Sequence, residues 1–210
     1  MPDDEPTLVE PPEDELLRAS FSRTPEGDAL LLRTLRSEVA RHRVLALRGL
    51  VRQSLMNEDL WREALHDADV DVRRDALQQL AHAQLGDVSL LDDVLALLDD
   101  DDGLVVDAAA FALGEHLCVP AVTSLCRVAA DHDDARCRES AIASLGAIGD
   151  DRARATIIEA LKDKPPIRRR AIVALSNFEG PDIDAALAEA GEDKDWQVRS
   201  AVAQLRDDDE

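Results

Sequence analysis

Apolar residues recur along this chain at helical spacing, inside a phrase that repeats about every thirty residues. The clearest copy is Val72-Arg73-Arg74-Asp75-Ala76-Leu77-Gln78-Gln79-Leu80. Other copies begin at His42, Val105, Cys137, Ile167 and Val198, at spacings of 30, 33, 32, 30 and 31 residues. Counted from zero at the first residue, positions 0, 4, 5 and 8 are apolar in most copies: Val72, Ala76, Leu77, Leu80; Val105, Ala109, Ala110, Leu113; Cys137, Ala141, Ile142, Leu145; Ile167, Ala171, Ile172, Leu175. That is one face of a helix with a period near 3.6 residues. The small residue at position 4 lets a neighbouring helix approach.

Between the phrases lie a second set of apolar runs and short joins rich in Asp, Gly and Pro. The pattern predicts paired antiparallel helices. The first helices are expected near 25–37, 57–66, 89–98, 119–129, 151–161 and 183–190. The phrase-bearing helices are expected near 39–55, 70–83, 104–116, 135–145, 167–177 and 197–205. A short helix at 13–21, with Leu16, Leu17 and Phe21 on one side, is expected to seal the end. A hairpin of two such helices cannot bury its own apolar faces, so adjoining hairpins must cover them. The expectation is an all-α superhelix, a solenoid of about six helical hairpins, forming one domain over residues 13–206. Residues 1–12, acidic and Pro-rich, are expected to be disordered, and 207–210 form an acidic tail.

Position 1 of the phrase is Arg in five of six copies: Arg43, Arg73, Arg138, Arg168 and Arg199; Val106 breaks the series. A cation in the first turn opposes the helix dipole, so its repetition points to another use. A guanidinium fork onto an Asp or a carbonyl of a neighbouring loop supplies one. Asp69, Asp102 and Asp134, each just before a phrase, are the candidate partners.

The stretches DVDVRRDALQQL, ARCRESAIASLGAIGD and PPIRRRAIVALSNF resemble the HEAT-repeat family, in the short prokaryotic form related to the repeats of phycobilisome lyases. LVVDAAAFALGE is similar but lacks the Arg, and SEVARHRVLALRGL is a weaker match. The resemblance covers about residues 25–206. It implies that the phrase-bearing helices line a concave face. Its functions range from scaffolds, adaptors and immunity proteins to lyases, hydroxylases and DNA-repair enzymes.

Charge and composition narrow that range. The formal net charge is −21, with 45 acidic against 24 basic residues. Such a field opposes phosphate backbones and anionic membranes and favours a basic partner. The five His (His42, His66, His82, His116, His132) show no metal-binding spacing, and Glu115-His116 reverses the His-Glu pair that iron-dependent relatives repeat. The aromatics are few (Phe21, Trp61, Phe111, Phe178, Trp196), which counts against a damaged-base pocket. No phosphate-binding glycine loop occurs, and Ser140 and Ser144 have no activating His in view. The run Asp99 to Asp102 lacks the alternation of a calcium loop and reads as a solvated turn. Cys118, Cys126 and Cys137 form no disulfide pattern. With no basic, apolar leader and no apolar run of about eighteen residues, a cytoplasmic protein is expected.

No catalytic, cofactor or metal residue is therefore assigned. Position 6 should face the inner curve: Arg48, Gln78, Phe111, Ala143, Val173 and Gln204. Position 2 should frame it with Arg74, Asp107, Glu139 and Arg169. The candidate protein-binding residues are Arg74, Gln78, Asp107, Phe111, Glu139, Ala143, Arg169 and Val173. Phe111 is either an exposed anchor or a core residue displaced by local register. Trp61 and Trp196 are expected in the core or capping an end. The functional expectation is a non-catalytic protein-interaction module, monomeric when free, whose partner carries a basic surface or segment. The alternatives are a lyase-like or glycosylase-like enzyme, and an immunity protein or structural segment of an assembly.

Overall fold

A computed structural model of the chain describes residues 10–83 and 90–208, with side chains as far as Leu205. It is an all-α repeat solenoid of stacked helical hairpins, and the described residues contain no strand. The chain divides into two compact units, residues 1–79 and 80–210.

The first unit contains α1 (Glu13–Ser22), α2 (Pro25–Thr34), α3 (Ala40–Gln53), α4 (Glu58–Leu65) and most of α5 (Val70–His82). Thr24 and Asn57 cap α2 and α4 by accepting the Gly27 and Leu60 amides. α1 lies across α2 and α3 and buries Leu16 and Ala19 with Leu30, Leu31, Leu47 and Leu50. The sealing role expected of Leu16, Leu17 and Phe21 falls to Leu16 alone. Leu17 is a hundred degrees further round the helix and is exposed, as is Phe21. The Phe21 ring instead carries the Arg52 guanidinium, 4.2 Å from its centroid.

The expected disorder of residues 1–12 falls mostly outside the described residues. Glu10, within them, accepts hydrogen bonds from the Ser37 hydroxyl at 2.6 Å and the Glu38 amide at 3.2 Å. The basic strip of α3 is also engaged: Arg41 pairs with Glu13, and Arg48 with Asp75.

The second unit contains α6 (Leu91–Ala96), α7 (Gly103–Glu115), α8 (Val122–Asp131), α9 (Ala135–Ile148), α10 (Arg154–Ala160), α11 (Pro165–Leu175), α12 (Pro181–Ala190) and α13 (Trp196–Asp208). Short 3-10 turns extend the C-terminus of α6 and the N-termini of α8 and α10. Positions 0, 4, 5 and 8 of the phrases in α7, α9 and α11 are all buried. Each large aliphatic among them contributes roughly 1.5–3 kcal/mol by leaving water.

The phrase helices α7, α9, α11 and α13 pack each against the next, more extensively than α8 meets α10. Small residues permit this. A Cβ on Gly114 would stand 2.9 Å from Ser144 Cα, and one on Gly146 would stand 2.6 Å from Ala174 Cα. These are equivalent sites, position 9 of one phrase against position 7 of the next. The phrase layer of this unit is thus drawn together more tightly than the other layer, which puts the phrase helices on the inside of the bend.

Candidate functional site

The repeated Arg forms a relay. In the second unit Arg138 Nε and Nη2 donate to the two Asp163 oxygens at 2.7 and 2.9 Å. The Asp163 carbonyl accepts from Arg168 Nη1 at 2.7 Å, and Arg168 Nη2 reaches Asp193 at 2.9 Å. The Asp193 carbonyl then accepts from Arg199 at 2.6 Å. The first unit shows the same step: Arg43 forks onto Asp67 at 2.8 and 2.7 Å, and the Asp67 carbonyl accepts from Arg73. Each loop Asp also receives a nearby amide, so one side chain closes its own turn and holds the preceding repeat. The Arg138 hydrogen bond holds the Asp163 carboxyl below the usual carboxylate range, and the pairing raises the Arg138 guanidinium in return.

This corrects the expected partners. Asp69, Asp102 and Asp134 accept amides two residues ahead, those of Asp71, Leu104 and Arg136. They close the first turn of their helices, too close in sequence to reach back. The Arg fork spans 24 or 25 residues to the loop of the following repeat.

At the joint where Arg is missing, its partner is missing too. Val106 is fully buried. The loop position held elsewhere by Asp67 or Asp193 is His132, whose Nδ1 accepts the Asp134 amide at 3.0 Å as those carboxylates accept theirs. An open cavity of about 530 Å³ occupies this joint, lined by Asp101, Gly103, Arg127, Val128, Asp131, His132, Asp133 and Asp134. Arg127 is already paired with Asp99 at 2.8 Å and Asp134 with Arg136 at 2.7 Å, so the acidic character of the lining comes from Asp101, Asp131 and Asp133.

The exposed stripe of the phrase helices runs through positions 2 and 6. In the second unit Phe111 is 41% and Val173 55% exposed, with Ala143 half-buried between their helices. The Phe111 and His82 rings meet in a T-shaped arrangement, their centroids 6.1 Å apart. Polar contacts cross from each helix to the next beside this stripe. Ser140 donates to Asp107, Arg170 pairs with Glu139 at 3.6 Å, and Arg169 donates to Gln197 at 2.9 Å. Asp107, Phe111, Glu139, Ala143, Arg169 and Val173 therefore lie in one array. Arg74 and Gln78 belong to the first unit, where Arg74 pairs with Asp71 at 2.7 Å and Gln78 is exposed.

Trp61 is buried, as expected of a core residue. Trp196 is not: it is 67% exposed. It opens α13 at i, with Ser200 at i+4 and Gln204 at i+8, which places it on the exposed stripe and away from the apolar face holding Val198 and Val202. The phrase numbering carries that signal, since Trp196 sits one turn before position 2.

Two side chains that could act as nucleophiles are held in hydrogen bonds within the stack. Ser144 donates to the Ala110 carbonyl at 2.7 Å. Cys137 Sγ donates to the Gly103 carbonyl, and burial pushes its thiol up to about 11, so it is no nucleophile at neutral pH. Among the described residues no group of three or more His, Cys, Asp or Glu is arranged to hold a metal ion, and no helix is long and apolar enough to cross a membrane.

The family profile for HEAT repeats matches residues 58–145 and 122–206. No curated protein matches the sequence at a significant level. Among solved structures, computationally designed armadillo repeat proteins for modular peptide recognition superpose with a TM-score of 0.58 at 16% identity, over 84% of this chain and 97% of theirs. A designed armadillo repeat protein in complex with the peptide (KR)4 gives 0.58 at 13% identity, over 93% and 98%. The complex of CpcE and CpcF of phycocyanin lyase from Nostoc sp. PCC7120 gives 0.62 at 20% identity, over 83% and 74%. At these identities the likeness is one of fold.

Proposed function

Because the chain belongs to the HEAT-repeat family, a fold that offers long helix-lined surfaces, we propose that the exposed stripe of its phrase helices binds a segment of another protein and catalyses no reaction. One observation carries this reading. Phe111 and Val173 stand exposed on the stripe, in helices whose positions 0, 4, 5 and 8 are all buried. Large apolar groups left in water on the inside of a bend suit a partner's side chains.

The partner is a protein with a basic surface or segment. The net charge of −21 attracts such a segment from a distance and repels nucleic acid. The acidic cavity at the Val106 joint offers carboxylates to a Lys or Arg side chain. The likeness to a designed protein bound to (KR)4 supports a basic peptide as one ligand this fold can hold. An enzyme of the lyase-like or glycosylase-like kind would set converging polar groups in a deep, enclosed pocket beside a large aromatic side chain; the cavity at the Val106 joint is open and has no Phe or Trp in its lining. The free chain is read as a monomer.

The test is selection from a displayed library of random twelve-residue peptides, followed by affinity measurement on variants. The reading expects enriched peptides carrying Lys or Arg beside a large apolar residue. Their binding should weaken about tenfold or more on Phe111→Asp, with circular dichroism unchanged. Peptides that bind Phe111→Asp and Val173→Asp as well as wild type would overturn it. Loss of the helical signal in Phe111→Asp would make Phe111 a core residue, and Val173→Asp would then decide alone.

A further inference from the structure

The stripe of the second unit is electrically polar along its length. At the α7 end, Asp107 is bonded to the Ser140 hydroxyl, a neutral donor. It sits one helical turn from Gly103, which lines the acidic cavity; Asp134 there is paired with Arg136 at 2.7 Å, and Asp101, Asp131 and Asp133 supply the remaining negative charge. In the middle, Glu139 and Arg170 offset each other. At the α11–α13 end the sign reverses. Arg169 donates to the Gln197 amide oxygen rather than to a carboxylate. In a chain where most arginines face an Asp or Glu, a half-buried guanidinium held by a neutral group keeps its charge for something else. Trp196, the neighbour of Gln197, is 67% exposed at this same end.

We infer that the ligand of this surface is a bipolar segment of a partner protein. Its basic residue sits at the α7 end against Asp107 and the acidic cavity. Its carboxylate, beside a large apolar residue, sits at the α13 end against Arg169 and Trp196. The inference rests on the reading of the stripe as a binding surface and adds the ligand's charge order. A guanidinium with free donors recognises a carboxylate by a two-pronged hydrogen bond. An indole offers a broad apolar area at small entropic cost. Helices packed at about 8–10 Å put roughly 24–30 Å between the axes of α7 and α13, which is about seven to nine residues of extended chain. The basic and acidic positions of the ligand are therefore separated by about that length. A uniformly basic ligand would meet Arg169 with like charge, and the α13 end would oppose it.

The experiment uses the full chain and the same twelve-residue library, selected in parallel on wild type and on Arg169→Glu. Wild type is expected to enrich peptides with Lys or Arg near one end and Asp, Glu or a free C-terminal carboxylate beside an apolar residue near the other. These peptides should bind Arg169→Glu about tenfold or more weakly, and Trp196→Ala several-fold more weakly, with thermal melts unchanged. Peptides selected on Arg169→Glu should carry Lys or Arg where the acid stood. All-basic peptides that are enriched on wild type and bind Arg169→Glu no better, while still losing affinity on Phe111→Asp, would overturn the charge order and leave the surface standing. Peptides indifferent to Phe111→Asp, Val173→Asp, Arg169→Glu and Trp196→Ala would overturn both.

Discussion

The joint between α9 and α11 and the joint between α7 and α9 hold the same kind of helix pair with different parts. The first has the full set: Arg138 forked onto Asp163, and Gly146 pressed against Ala174. The second keeps the close contact, Gly114 against Ser144, and lacks the fork, with Val106 and His132 in place of Arg and Asp. Both joints stack. The shared element, backbone approach at small residues, is what positions the helices. The guanidinium relay is an added tie at the other end of each helix. Where it is absent, an acidic cavity opens.

The strongest way to break the comparison is to fill the shared contact. Gly146→Val would drive side-chain carbons into the Ala174 backbone and should cost about 3 kcal/mol or more, read from urea unfolding. A smaller loss would mean the helices can slide apart. Next comes the tie. Arg138→Ala removes a mostly buried fork from Asp163 and should cost roughly 1–3 kcal/mol; an unchanged unfolding midpoint would make the relay decorative.

The same pair predicts a pH dependence. The folded Asp163 carboxyl titrates below its unfolded value, so its stabilisation is complete above the ordinary carboxylate range and is lost as pH falls through the depressed one. The stability gap between wild type and Arg138→Ala should be constant from about pH 6 to 8 and close below about pH 4. A gap that persisted in acid would assign the loss to packing alone.

The smallest effect sharpens the comparison. Val106→Arg with His132→Asp should rebuild the missing rung, changing stability by about 1 kcal/mol or less, while hindering binding of basic peptides through partial filling of the cavity. Unchanged peptide affinity would separate the cavity from the binding surface.

Much of this is legible in the sequence. Positions 0, 4, 5 and 8 are set by burial, which obeys the helical period, so Ile142, Leu145, Ile172 and Leu175 could be placed from spacing alone. Position 6 followed by elimination, and the exposure of Phe111 resolves the alternative that spacing left open. The relay was half legible. Arg recurs visibly, but its partner depends on which loop lies above it in the stack, and local sequence favoured Asp134 over the distant Asp163. Trp196 was misplaced because large aromatics are usually buried, although its i, i+4, i+8 relation to Ser200 and Gln204 already put it on the exposed stripe. The polarity of the stripe could not be read, since it depends on which side chains neutralise Arg170 and leave Arg169 free.

The central claim is that the ligand lies on the phrase-helix stripe of the second unit. A photo-crosslinking amino acid decides it directly: Ala143→benzoylphenylalanine on α9, compared with Ala155→benzoylphenylalanine on the exposed side of α10, each irradiated with a library-selected peptide. The account predicts a peptide adduct at position 143 and none at 155. An adduct at 155 with none at 143 would contradict it.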